Sequence, residues 1–516
     1  MAATPSTSLY ELIKSLTKSE KRYFKVFSSK HTIGEENNYI TLFDYLDNQN
    51  GYDETKLFED FKGQAFLNKF SITKKRLQEN ILRSLDSYHS NSSIDAQLYR
   101  MMHYAEILYD KSLYKQCKKY LQSAEKLAEK HAKYHILLEV NQKMKRLLEN
   151  TGYAGSDQAF LDAMQTKDNE LSEVIRGYNN LWHIKSSLMM HLNRNGVARN
   201  QEERKIYDEL IHPLSHCQYA VAFDSIFLVN QIQAAYYFGT LDFQKSEQYI
   251  AANITLYKEN AERLKEEVNV YFSLISNGIY LNHHLGDYSR VDELLNELKT
   301  ISKESGKNLS EDLNIKLFSS INSTRLMLYN ERGEFTEAIQ TVPLIEEAYR
   351  LYGSKIAPAR RAYLNYNIAV AYFGEGAYTQ SLKWINTILN DKDLDEKLDI
   401  YCFSQLLNLI LHFELDNREL LPYAIKNTQR YLKSRNRVYK FEEIFLKYLN
   451  KLSRTISPLD QMDLLENVIT EIQPLTEDPF ERSVFDSFKF LLWAKSKLSK
   501  RPFAELVHTA YSERSK

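Results

Sequence analysis

YLNYNIAVAYFGEGAYTQSLKWINTIL, residues 363–389, decides the fold. Apolar residues recur three and four apart on both sides of a short glycine-containing break, as in two amphipathic helices joined by a tight turn. An aromatic, Tyr378, stands at the turn. A small residue, Ser381, follows three positions later and an aliphatic, Ile385, seven later. The same order recurs upstream. The turn aromatics Phe243, Tyr288, Phe335 and Tyr378 are spaced 45, 47 and 43 residues apart. Compact residues follow at Ser246, Val291, Ala338 and Ser381, and aliphatics at Ile250, Leu295, Val342 and Ile385. Tyr114, with Cys117 and Leu121, begins an earlier copy. It lies 129 residues before Phe243, three times 43, so two degenerate repeats are expected between them, with turns near Gly155 and Gly196.

Packing explains these positions. A pair of antiparallel helices buries one face of each helix, and stacking the next pair buries the rest. The aromatic closes the turn, the compact residue lets two helices approach, and the aliphatic fills the core. Glycines follow the same period. Gly286 and Gly306 are 20 apart, as are Gly333 and Gly353, and the two pairs are displaced by 47. Glycine takes positive φ cheaply and suits helix C-termini. One glycine of each pair is therefore expected inside a hairpin and one between hairpins, with a helix of about 18 residues, roughly 27 Å long, separating them. Gly239 and Gly376 are assigned to turns on the same reasoning.

Composition agrees. Glycine is 15 and proline 9 of 516 residues, against average usage of about 7% and 5%. No proline lies between Pro5 and Pro213 and no glycine follows Gly376. Sandwiches, collagen-like chains and Pro/Gly-rich disorder are excluded, leaving an all-α protein.

The 363–389 stretch resembles the tetratricopeptide repeat, a helix-turn-helix solenoid unit. Ala369 and Tyr372 fall where that family has its first-helix small residue and aromatic. Gly376, Tyr378 and Ser381 match the turn and the second-helix small position. Residues 318–345 are similar through Tyr329, Gly333, Phe335 and Ala338. The first-helix Trp and the closing Pro of the family are absent, and the period is 43–47 residues where the family has about 34. The resemblance implies a right-handed α-solenoid of antiparallel helix hairpins with long helices, a scaffold that usually binds peptides or proteins. It implies no chemistry, since fold does not fix function.

The ends read differently. Residues 1–93 form a small helical module or cap: Thr17-Lys18-Ser19-Glu20 is a capping box before a helix with Tyr23, Phe24 and Phe27 on one face. Three more helices are expected at 38–49, 52–61 and 72–88, and HSNSSID (89–95) is the best linker in the chain. Residues 94–436 carry the repeat array. Residues 437–516 are expected to form three or four capping helices broken at Pro458, Pro474, Pro479 and Pro502.

Walker A, GxGxxG, HExxH and GxSxG patterns are absent. His131, His135 and Glu139 form a straight helical stripe about 12 Å long, too extended for one metal. His212, His216 and Cys217 straddle Pro213 in an expected loop. Asp391, Asp393 and Asp395 mimic the start of a calcium loop, but Glu396 and Cys402 stand where Gly and Glu are required; acidic residues at a helix N-terminus are the simpler reading. No metal site and no cofactor are expected. Cys117, Cys217 and Cys402 form no CxxC pair and read as buried thiols in a reducing compartment.

Two basic stretches stand out. Lys426, Arg430, Lys433, Arg435, Arg437 and Lys440, interleaved with Tyr431 and Tyr439, form a candidate patch for an anionic partner. Lys18, Lys21, Arg22 and Lys25 form the basic face of an N-terminal helix. The simpler reading of each is a solvated helix face. Lys+Arg 67 against Asp+Glu 68 leaves a net charge of −1, so no global field draws the molecule to nucleic acid or membrane. MAATPSTSLYELIKSLTKSEK lacks the apolar core of a signal peptide. The longest apolar stretch, 225–241, is too short and polar to span a bilayer. These features predict a cytoplasmic, non-enzymatic scaffold that binds a protein or peptide. The alternative is a regulatory protein whose basic N-terminal helices contact nucleic acid or a partner while the array senses a peptide or protein.

Overall fold

The computed structural model describes residues 7–29, 38–90, 93–198, 200–219, 222–304, 309–395, 399–434, 439–478 and 481–514. Among these, every regular element is a helix and none is a strand. Most helices pack against their neighbours in sequence. The chain divides into two compact units, 1–176 and 177–516.

The first unit holds two apolar cores. One gathers Leu9, Ile13, Phe24, Phe43, Leu57 and Leu77 from the N-terminal helices. There the capping box forms as the sequence implies. The Thr17 N–H donates to Glu20 Oε2 at 2.7 Å, and the Glu20 N–H to Thr17 Oγ1 at 3.2 Å. Phe24 is buried against Phe43 with ring centroids 4.6 Å apart. The second core is built from the helices Ile94–Asp110, Tyr114–Lys130 and Tyr134–Asn150 around Leu98, Cys117, Leu121 and Ile136.

The repeat positions are filled alike. Cys117, Ser246, Val291, Ala338 and Ser381 are all buried, and so are Leu121, Ile250, Leu295, Val342 and Ile385. Ser246 Oγ donates to the carbonyl of Ala234 at 2.9 Å and Ser381 Oγ to that of Ala369 at 2.6 Å, each twelve residues back. The turns are equally uniform. A left-handed residue stands two positions before each aromatic: Ser112, Leu241, Gly286, Gly333 and Gly376, with φ from 60° to 76°. The next N–H reaches back five residues, as Glu334 does to Tyr329 and Ala377 to Tyr372, each at 2.9 Å. This is the Schellman closure of a helix C-terminus.

Serine holds that left-handed place at Ser112, which is exposed. Ser112→Gly is expected to raise the stability of the first unit by roughly 0.5–1 kcal/mol, because glycine sheds the steric cost of the conformation. Urea denaturation measures it; a loss of stability would contradict the strain argument.

Gly239 stands beside the turn of its unit, at the end of the helix Phe223–Gly239, and Leu241 takes the left-handed place. Gly239 is small for another reason: a Cβ there would stand 2.2 Å from the buried Tyr207 ring. Gly155 and Gly196 are left-handed, yet residues between them form one helix, Gln158–Asn195, of 38 residues. The two expected turns do fall there, between Asn150 and Gln158 and between Asn195 and Gln201, while the helix between them runs unbroken. After Phe335, the second helix breaks at Thr341 into Phe335–Gln340 and Val342–Tyr352. Pro343 lacks the N–H that would bridge the break. Gly306 and Pro479 lie outside the described residues.

Among the described residues, five α-helices follow residue 439 where three or four were expected: Lys440–Arg454, Pro458–Ile472, Arg482–Ser487, Phe490–Ser499 and Phe503–Arg514. The last of them returns to the helix Glu311–Arg332. Phe503 stacks on Phe335 at 6.0 Å and meets Phe373 edge-on at 5.4 Å, while Tyr511 reaches Tyr288 at 5.6 Å. Three turn regions of the array thus share one covering segment. Two buried carboxylates hold it. Glu331 pairs with Lys489 at 2.8 Å, and Glu414 accepts from Trp493 Nε1 at 2.7 Å and pairs with Lys497.

Candidate binding groove

Three helices of the second unit each end in one of these turns: Val268–Leu285, Glu311–Arg332 and Pro358–Gly374. Residues three and four apart share a helix face. One face of each carries Ser276, Tyr280 and His283; Ser320, Ser323 and Met327; and Arg360, Tyr363 and Asn367. These faces line two adjoining cavities, of about 230 and about 160 Å³. Asp399, Ile400 and Phe403 of the helix Asp399–Glu414 close one side of the larger cavity, together with Ser487 of the returning segment. Other faces of the same helices carry the core residues Ile275, Leu326 and Ile368. The groove is therefore a mixed polar and apolar side of helices whose other side builds the array.

The lining mixes aromatic and hydrogen-bonding groups. Tyr280 and Tyr363 are exposed, whereas Tyr366 is buried and faces Ser487. Burial pushes the Tyr366 phenol well above its ordinary pKa. At the groove's edge, the Tyr288 hydroxyl donates to Glu331 at 2.7 Å, and His283 Nε2 lies 3.6 Å from the same carboxylate. Burial alone would raise the pKa of Glu331, but Lys489 and His283 hold it far below the usual carboxylate range. At the other end, Arg360 Nη1 donates to Ser320 Oγ at 3.1 Å, with its guanidinium 5.5 Å from the Phe272 ring centroid.

The residues singled out by sequence lie elsewhere. Lys426, Arg430 and Lys433 are exposed on one face of the helix Leu421–Ser434, and Lys440 is exposed at the start of the next helix. Arg435 and Arg437 lie outside the described residues. In the first unit Lys21 pairs with Asp47 and Lys25 with Asp44, each at 2.6 Å. Lys18 and Arg22 remain exposed. The basic face is thus half neutralised by aspartates on the helix Asn38–Asn48. Asp391 is not at a helix N-terminus. It follows the helix Tyr378–Leu389 and pairs with Arg361 at 2.6 Å, and its side chain accepts the Asp393 N–H at 3.1 Å. His212 and His216 sit in a short 3-10 helix with rings 5.3 Å apart. Among the described residues, no three His, Cys, Asp or Glu side chains converge as a metal site would require. Burial raises the pKa of the Cys117 and Cys217 thiols. No described helix is long and apolar enough to cross a membrane.

Sequence reasoning missed the groove residues Ser276, Ser320, Arg360 and Glu331. Polar residues on a helix face read as solvated, and only the packing of units 40 residues apart brings Arg360 to Ser320. No protein-family model matches the chain, and no curated protein is significantly similar to it.

Proposed function

We propose that this protein is a non-enzymatic, cytoplasmic scaffold of tetratricopeptide-like repeats, a right-handed solenoid of antiparallel hairpins whose groove binds a peptide or protein. The repeated turn geometry and the paired Ser246 and Ser381 hydrogen bonds support the repeat reading. The observation that carries the binding reading is the groove itself. Three successive helices turn equivalent polar-aromatic faces into continuous cavities, with Tyr280 and Tyr363 exposed along them. Tyrosine supplies large contact area at low entropic cost, and a row of hydroxyl and amide groups can register an extended chain. The nucleic-acid alternative draws less support, because Asp44 and Asp47 occupy half of the basic face on which it rests.

Peptides selected on the full chain by display test the reading. Tyr280→Ala with Tyr363→Ala is expected to weaken the selected peptides about tenfold or more, as loss of interface tyrosines does. Tyr423→Ala, at a highly exposed tyrosine outside the groove, is expected to leave them unchanged. Peptides indifferent to the groove pair would overturn the assignment.

A further inference from the structure

The smaller cavity contains an unanswered cation. Arg360 lines it, half-buried, and forms no ion pair among the described residues. Asp312, the carboxylate whose field it feels, is already 2.5 Å from Lys316. A guanidinium has five N–H donors. Ser320 takes one of Arg360's at 3.1 Å, and the Phe272 ring lies 5.5 Å away. Ser276 also lines the cavity, and its hydroxyl is buried with no hydrogen-bond partner. A partnerless buried hydroxyl and an unpaired, partly desolvated guanidinium each carry a cost that a ligand oxygen would relieve. Ser323 and Thr324 border both cavities, so a group seated here continues into the larger one.

We propose that this cavity is an oxyanion subsite of the groove, in which Arg360 pairs with a side-chain carboxylate of an acidic peptide while Ser276 and Ser320 contribute hydrogen bonds to it. The proposal rests on the peptide-binding reading above. Planar, forked donors suit a carboxylate, and the tyrosines of the larger cavity would flank the rest of the chain. A free phosphate offers similar oxygen chemistry, so the test separates the two.

Isothermal titration of the full chain at fixed ionic strength uses three probes: hexaglutamate, hexaglutamine and inorganic phosphate. Hexaglutamate is expected to bind and hexaglutamine to bind far more weakly. Arg360→Gln is expected to weaken hexaglutamate roughly thirtyfold or more, as loss of one member of a desolvated charge pair does. Ser276→Ala is expected to weaken it about fivefold, with no fall in the melting temperature of the free chain. That second variant carries the test should Arg360→Gln fail to fold. Equal hexaglutamate affinity in wild type and both variants would overturn the subsite, as would no binding of hexaglutamate at all. Equal binding of hexaglutamate and hexaglutamine would overturn the subsite but keep the peptide groove. Arg360-dependent binding of phosphate alone would overturn the peptide as its source.

Discussion

Lys489→Met is expected to destabilise the second unit by about 3–5 kcal/mol, measured by urea denaturation. The substitution keeps an unbranched side chain one atom shorter and removes its charge. It leaves Glu331, whose side chain is 8% exposed, without the ammonium that stands 2.8 Å from its Oε1. Tyr288 still donates to the carboxylate and His283 still lies near it, but neither supplies a fixed positive charge. Glu331→Gln is expected to cost less, because Lys489 is 20% exposed and can turn to water. Replacing both partners by apolar residues is expected to cost less than Lys489→Met alone, since no uncompensated charge is then buried. If the single and double substitutions cost the same, the ion pair is not what matters.

The pH dependence has a definite sign. The folded Glu331 carboxyl titrates below its ordinary value of 4.5. Its contribution is therefore fully present above about pH 4.5 and is lost as acid protonates the folded state. Acidification from about pH 6 to 3 is expected to destabilise the wild type more steeply than Glu331→Gln.

Phe335→Ala is expected to cost about 3–5 kcal/mol, and Gly374→Ala about 1–3 kcal/mol, with strong coupling between them. A Cβ on Gly374 would stand 2.3 Å from Cγ and Cδ2 of Phe335. The ring is 2% exposed and stacked on Phe503, so it has little room to retreat. Helix propensity alone would favour alanine by about 1 kcal/mol; overpacking outweighs it. With Phe335 already truncated, Gly374→Ala is expected to become neutral or stabilising. Additive costs in the double mutant would show that the methyl and the ring do not collide.

Much of the array was legible because one residue type serves one need at a fixed place. Ser381 and Ala338 must be compact to let helices meet, and Tyr378 must close a turn, so composition and spacing expose them together. The turns near Gly155 and Gly196 were legible from the spacing, but not the unbroken helix between them, since residues 158–195 hold no proline and continue across Gly177. The groove was illegible for a different reason. Ser276, Ser320 and Arg360 obey the ordinary rule for an outward helix face, and nothing local distinguishes a face turned to water from one turned to a neighbouring unit. Glu331 likewise sits beside Gly333, where an acidic residue usually meets solvent, and its partner Lys489 belongs to a distant part of the chain. Lys21 and Lys25 were visible as charges, but Asp44 and Asp47 were not visible as their partners.

The returning segment changes how such an array behaves as a whole. In an open stack each unit touches only its neighbours, so the ends can fray independently and folding can spread from any point. Here Phe503, Lys489 and Tyr511 bind the turn regions around Tyr288, Phe335 and Phe373 into one loop closed over long sequence separation. Closure of that loop raises contact order, which slows folding, and it makes the middle units melt together.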